Sequence, residues 1–163
     1  MKRKLVTGGT GFIGSHTATL LLERGFDVFL FDSFITSKES VISRIIDILR
    51  IKNINVEKRL FLVRGDLRNK CDIEKIFNMA LDLGKPIDSV IHFAGLKSVS
   101  ESVSKPLLYW ENNVNGTINL IEIMEKYNCK TIVFSSSATV YKNQLDKLLN
   151  EDDYCEPVNP YGN

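Results

Sequence analysis

The chain has 163 residues, 44% hydrophobic and 25% charged, the composition of one ordinary globular domain. A formal net charge of +1 gives no overall field that would draw nucleic acid or an anionic membrane. No apolar run approaches the ~20 residues that span a bilayer, and the basic cluster Lys2-Arg3-Lys4 precedes only a short apolar run ending in glycines, not a signal-peptide core.

In chain order, Lys4 to Thr7 reads as a short buried strand that passes directly into Gly8-Gly9-Thr10-Gly11-Phe12-Ile13-Gly14. Glycine at 8, 11 and 14 permits a tight turn, close approach of backbone to a ligand, and close packing of the following helix on the sheet. The N–H groups opening that helix would then face an anion, most plausibly a pyrophosphate. A bare structural turn is the alternative. Ile13 to Arg24 is apolar along a helical face, and Asp27 to Phe31 reads as the second strand. Val41, Ile42, Ile45, Ile46 and Leu49 repeat at helical spacing, with Ser37 and Ser40 as possible caps. A polar stretch, Lys52 to Asn55, reads as surface loop. Leu60 to Val63 is the third strand. Ile73, Ile76, Phe77 and Ala80 form the next helical stripe, followed by a strand from Ser89 to Phe93. A long helix is predicted from about Pro106 to Lys126, with Leu107, Trp110, Val114, Ile118 and Ile121 facing inward and Pro106 in the first turn. Thr131 to Ser135 is the fifth strand. The alternation predicts an α/β fold, a parallel doubly wound sheet in a single domain over residues 1–163.

Chemistry is expected where these strands end. Asp32 closes the second strand, and a carboxylate there can accept from both hydroxyls of an adenosine ribose while repelling the extra phosphate of NADP. With no arginine beside it in the sequence, it predicts NAD. A cap or loop acid is the plainer reading. Asp66, in Arg64-Gly65-Asp66-Leu67, is placed to accept from an adenine amino group, although an aspartate after glycine also suits a turn. Small Ala94 and Gly95 would let a dinucleotide pass close to backbone. Lys97 would meet a phosphate or a ribose hydroxyl, or simply be solvated. Asn112, Asn113 and Asn115 crowd a helix otherwise rich in apolar residues, which implies a polar partner for at least one. Ser135, Ser136 and Ser137 offer hydroxyls at the sheet mouth or form a serine-rich turn. The cysteines (Cys71, Cys129, Cys155) form no C-x-x-C and are expected as reduced thiols in a cytoplasmic protein. His16 and His92 have no ligand-spaced partner, so both are expected to be structural and no metal is expected.

Thr7-Gly8-x-x-Gly11-x-x-Gly14, His92-Phe93-Ala94-Gly95-Leu96-Lys97, Glu101-Ser102-Val103-x-Lys105-Pro106, Asn112-Asn113-Val114-Asn115-Gly116-Thr117 and Ser135 to Tyr141 together resemble the UDP-glucose 4-epimerases of the extended short-chain dehydrogenase/reductase family. The resemblance covers essentially the whole chain and corresponds to the N-terminal half of such enzymes. It implies a Rossmann-type NAD-binding domain ending after about five strands, with a C-terminal lobe for the UDP-sugar lying beyond it. It implies that Gly8, Gly11, Phe12, Ile13 and Gly14 line the pyrophosphate turn. Asp32, Ser33, Phe34, Ile35, Thr36 and Ser37 would hold the adenosine ribose and its surroundings, and Asp66 and Leu67 would flank the adenine. Phe93, Ala94, Gly95, Leu96, Lys97 and Asn112 would contact the rest of NAD. Ser137 and Tyr161 would stand at the reacting sugar carbon and beside the cofactor. Tyr161 would take the proton of the sugar 4-hydroxyl as hydride passes to NAD, and hydride would return to the other face of the 4-keto sugar. The resemblance also implies a homodimer of the full-length enzyme, through the long helix beginning near Pro106.

The sequence departs from that pattern in places. The family's Y-x-x-x-K spacing puts a lysine at position 165, past Asn163. Lys142 stands where the family usually has glycine, and the connection from Ser137 to Tyr161 is one residue short. The related dTDP-glucose dehydratases carry an acidic pair where this chain has Ala138-Thr139. A backbone this close to the last residue, Asn163, is expected to fray, leaving Tyr161 poorly aimed, and the chain alone is expected to be inactive. A short non-catalytic NAD-binding protein, or another nucleotide-sugar epimerase or dehydratase of this family, is the alternative reading.

Overall fold

The computed structural model describes residues 2–142 and 148–163. The apolar runs become five parallel strands: β1 (Arg3–Thr7), β2 (Asp27–Asp32), β3 (Leu60–Arg64), β4 (Ser89–His92) and β5 (Ile132–Phe134), in the order β3-β2-β1-β4-β5. The register aligns Phe61, Phe29, Leu5, Val90 and Ile132 across one row. Side chains alternate faces along a strand, so this row and its neighbour belong to opposite layers. On the first face, Leu5, Phe29 and Val90 pack against Ile73, Ile76, Phe77 and Ala80 of α3 (Lys70–Asp82) and against Leu120, Ile123 and Met124. On the other, Val6, Val28 and Leu30 pack against Ala18 and Leu22 of α1 (Phe12–Glu23) and Ile45 and Leu49 of α2 (Val41–Ile51). The stripes predicted for the second and third helices are thus core.

At the end of the sheet where the strands begin, two arginines close helix C-termini. The Arg3 guanidinium donates to the carbonyls of Ala80, Leu83 and Lys85 at the end of α3, and Arg59 donates to those of Leu22 and Phe26 after α1. Each sets a positive charge against the negative end of a helix. Both flank one carboxylate, Asp27, with Nε to oxygen distances of 3.6 Å and 3.8 Å. Arg3, in a cluster the composition makes look like solvated charge, is therefore buried.

The helix expected over 106–126 is divided. A short α4 (Val99–Ser104), for which the sequence predicts no element, precedes α5 (Pro106–Tyr109); a π-helical turn (Trp110–Asn115) then leads into α6 (Gly116–Lys126). The expected inward stripe is corrected. Leu107 is 82% exposed, and Trp110, Val114, Ile118 and Ile121 are exposed with it, while Tyr109, Gly116, Leu120, Ile123 and Met124 face the core. Both faces of this helix are apolar, and helical spacing cannot say which one the sheet covers. The two serines expected as caps do not act as such: Ser40 precedes α2 without a side-chain bond to it, and Ser37 turns to Asp32.

After β5 a 3-10 turn (Ala138–Val140) and an antiparallel bridge between Tyr141 and Cys155 carry the chain back toward the cleft. Residues 143–147, part of the short connection between Ser137 and Tyr161, lie outside the described residues. Among the described residues no helix is long and apolar enough to cross a membrane.

Candidate functional site

A cavity of about 450 Å³ opens at the carboxyl ends of the five strands. That is where loops and helix N-termini of a parallel sheet converge. Its first wall is the turn after β1. Gly8 has φ +62°, and a Cβ there would come within 2.8 Å of the Ala94 nitrogen. A Cβ on Gly14 would meet the Gly8 carbonyl oxygen at 2.2 Å, so α1 can start this close to the turn only without a side chain. No side chain caps α1, and its first turn holds no acid. The positive end of the helix is left for an external anion.

Asp32, buried at the tip of β2, ties this wall together. Its Oδ2 accepts from the Thr10 N–H at 3.0 Å, and its Oδ1 accepts from the Phe34 N–H and the Ser37 hydroxyl, each at 2.9 Å. Ser37 Oγ also lies 2.7 Å from Thr10 Oγ1. The carboxylate thus locks the turn to the loop after β2 and keeps a lone pair on Oδ2 for a ligand. Phe34 is the exception among the candidates. It adopts φ +60° and turns its ring under the Arg64 guanidinium, 5.6 Å from the ring centre, outside the cavity wall. No arginine adjoins Asp32 along the chain, but the parallel register sets Arg64 of β3 opposite it. Neighbours across a sheet are invisible to a reading along the chain.

Asp66 reaches the cavity rim, but its carboxylate is gripped by Arg68, whose Nη2 lies 2.6 Å from Oδ2 and whose Nε is within 3.1 Å of both oxygens. These bonds hold its carboxyl below the usual carboxylate range. Leu67 beside it is nearly buried, its carbonyl accepting from Asn119.

The floor is a chain of hydroxyls and one imidazole. Thr7 Oγ1 accepts from the Ala94 N–H and lies 2.5 Å from His92 Nδ1. Thr117 Oγ1 donates to the Asn113 carbonyl and so accepts from His92 Nε2, at 3.0 Å. A neutral imidazole protonated at Nε2 satisfies both ring nitrogens, with Nδ1 accepting from the Thr7 hydroxyl. Burial pushes the His92 pKa down to about 4. The loop Phe93 to Lys97 is pinned by Asn113, whose amide accepts from the Leu96 N–H and donates to the Leu96 carbonyl, both at 2.8 Å. Asn112, the asparagine expected to contact a ligand, lines the cavity and donates to the Leu108 carbonyl. The crowding of asparagines signalled a polar partner; only the fold shows that Asn113 has the structural one.

The last wall is the serine loop and the end of the chain. The Ser137 hydroxyl accepts from the Thr139 N–H at 3.2 Å and lies 2.9 Å from the Thr139 hydroxyl. Tyr161 lines the same cavity. Its N–H donates to Ser102 Oγ at 3.2 Å, and its ring meets that of Tyr109 edge-on at 6.4 Å. The expected fraying is corrected here: Gly162 packs so closely that a Cβ would lie 2.5 Å from the Thr139 carbonyl oxygen. The structure thus gathers every candidate residue except Phe34 around one cavity.

The sequence model of the family described as GDP-mannose 4,6 dehydratase matches residues 5–163. The chain belongs to this family. Within it, the resemblance to UDP-glucose 4-epimerases is shown by relatives. The bifunctional UDP-glucose 4-epimerase and UDP-xylose 4-epimerase 1 of Pisum sativum is 48% identical over 159 residues, 97% of this chain and 43% of the relative. The chain therefore spans less than half the length of that relative. Among solved structures, UDP-glucose 4-epimerase from Bifidobacterium longum, in complex with NAD+ and UDP, superposes with a TM-score of 0.86 at 40% identity, covering 99% of this chain and 45% of that one. The enzyme from Stenotrophomonas maltophila, with bound NAD and formylated UDP-arabinopyranose, gives 0.84 at 38% identity, covering 99% and 45%. The Rossmann-type fold of this family member is thereby shown.

Proposed function

We propose that this chain is the NAD-binding portion of an enzyme that inverts C4 of a UDP-hexose, interconverting UDP-glucose and UDP-galactose through a transient 4-keto sugar. The observation that carries the reading is one cavity into which separate segments deliver an uncapped helix N-terminus, the Asp32 carboxylate, a serine and a tyrosine. NAD fits what is there: the glycine turn has no room for a Cβ where a pyrophosphate would pass, and Asp32 retains an acceptor lone pair. The dinucleotide, when bound, supplies a hydride acceptor and donor at the sugar carbon. Gly8 to Gly14 would hold the pyrophosphate, Asp32 with Ser33 and Ile35 to Ser37 the ribose end, and Phe93 to Lys97 with Asn112 the nicotinamide end. Tyr161, as phenolate, takes the proton from the 4-hydroxyl and returns it, and Ser137 hydrogen-bonds the same oxygen. Tyr109, though adjacent, is unsuited to that role, because burial and the nearby Glu101 carboxylate push its hydroxyl pKa up. A 4,6-elimination would need an additional acid and base, and after the serines stand Ala138 and Thr139, which supply neither.

The whole enzyme is proposed to be a cytoplasmic homodimer, with the exposed stripe of Leu107, Trp110, Val114, Ile118 and Ile121 as the covered face. Two measurements test the reading. Calorimetry on the chain should give tighter binding of NAD than of NADP, with Asp32→Asn narrowing the gap by about tenfold; tighter NADP binding would sink the cofactor assignment. In a chimera joining this chain to the C-terminal half of a relative, a coupled assay should show UDP-galactose converting to UDP-glucose. Tyr161→Phe should lower turnover there by about a hundredfold or more, and Ser137→Ala by less. Full turnover in the tyrosine variant would refute the role given to Tyr161.

A further inference from the structure

We propose that Ser102 and Tyr109 are positioning residues for Tyr161, fixing its backbone and its ring from the segment that follows Lys97. The proposal rests on the reading of Tyr161 given above. Ser102 is 0% exposed, and its hydroxyl has two bonds: it donates to the Val99 carbonyl at 2.7 Å and accepts from the Tyr161 N–H at 3.2 Å. The first bond lies within α4 and would satisfy the hydroxyl by itself. The second reaches 59 residues along the chain and gives the buried serine a long-range partner.

Tyr109 holds Tyr161 from another direction. The two rings meet edge-on, 6.4 Å apart with planes 78° from parallel, a favoured aromatic geometry. Tyr109 is itself immobilised: its hydroxyl donates to Glu101 Oε2 at 3.1 Å and accepts from the Ser98 N–H at 3.0 Å. The other oxygen of Glu101, Oε1, takes the Lys105 ammonium at 3.1 Å. The Tyr109 hydroxyl is thus committed away from the cavity, and only the ring wall is offered to Tyr161. A fixed N–H and a fixed ring plane leave the Tyr161 hydroxyl little freedom of direction. Errors of about 1 Å at a reacting group can cost roughly a hundredfold in rate, so such bracing has a function beyond stability. It also joins the tyrosine to the Phe93–Lys97 loop, because only four residues, Ser98 to Glu101, separate Lys97 from Ser102, so that both walls of the cavity share one support.

The test is NMR on the full 163-residue chain carrying ring-labelled tyrosine, with the Tyr161 signal assigned by its loss in Tyr161→Phe. In Ser102→Ala that signal should lose at least about half its displacement from free tyrosine, because the ring leaves the edge of Tyr109. An unchanged Tyr161 signal in a folded Ser102→Ala chain would overturn the proposal, and a change confined to thermal stability would count the same way. Amide exchange in the unaltered chain gives a second arm if the variant does not fold. The Tyr161 N–H should exchange at least about tenfold more slowly than a free peptide, and exchange at the free rate would overturn the bracing. Saturating NAD separates the two readings. A Tyr161 signal that responds to Ser102→Ala but not to NAD leaves the bracing in place and removes the tyrosine from the cofactor site.

Discussion

Two strands of the same sheet, β2 and β5, have similar apolar sequences and opposite fates. Four residues of β2 (Val28, Phe29, Leu30, Phe31) are at most 1% exposed, whereas Ile132, Val133 and Phe134 of β5 are 36%, 58% and 59% exposed. β2 is paired on both edges and covered on both faces; β5 is paired with β4 alone among the described residues. A strand's sequence therefore states that it wants cover, and its neighbours decide whether it has any. The contrast extends to the site. The walls near β1 and β2 are tied together through Asp32 and the glycine turn, while the wall after β5 rests on the bonds of Ser137, Ser102 and Gly162.

The sharpest way to break this contrast is at the β1 end. Gly14→Ala would drive a methyl carbon to 2.2 Å from a backbone oxygen that cannot rotate away. We expect a loss of about 3 kcal/mol or more, read as a fall in the denaturant midpoint; a variant as stable as the parent would show that the turn is looser than drawn. Next comes pH. His92 has a folded pKa of about 4 against an ordinary 6.5, so it is neutral when folded and takes up a proton more readily once unfolded. Its contribution is fully present above pH 6.5 and is lost as pH falls toward 4, for a total of about 3 kcal/mol across that window. Urea titrations at several pH values should show the slope, and His92→Gln should flatten it. The smallest effect belongs to the exposed strand: Val133→Thr should shift stability by less than about 0.5 kcal/mol while reducing self-association in light scattering. A cost of several kcal/mol there would mean that β5 is covered after all.

The strands and most helices were legible because period and punctuation are local properties. Five apolar runs became five strands, each within a residue or so of the expected bounds, and the stripe from Ile73 to Ala80 became core. What sequence could not supply was partnership in space. The exposed face of α5 to α6 reads as well for core as the buried one does, and a π-helical turn leaves no mark in a pattern of spacings. Arg64 lies 32 residues from Asp32 in the chain and opposite it in the sheet. Ser102 sits in a run of serines and valines that resembles a turn, and its bond to Tyr161 depends on the path of everything between. Motif resemblance grouped residues far apart in the chain because motifs are read as sets, and all of them but Phe34 line one cavity.

The carboxylate of Asp27, flanked by Arg3 and Arg59, has a consequence for how the chain unfolds. Arg3 belongs to the first strand yet closes a helix some eighty residues later, and Arg59 precedes the third strand yet closes the first helix. Neither end can come apart without stranding a guanidinium or the carboxylate between them. The units on either side of β1 should therefore melt as one cooperative block from this end. Local opening is left to the far end of the strands, where the cavity must admit what it binds.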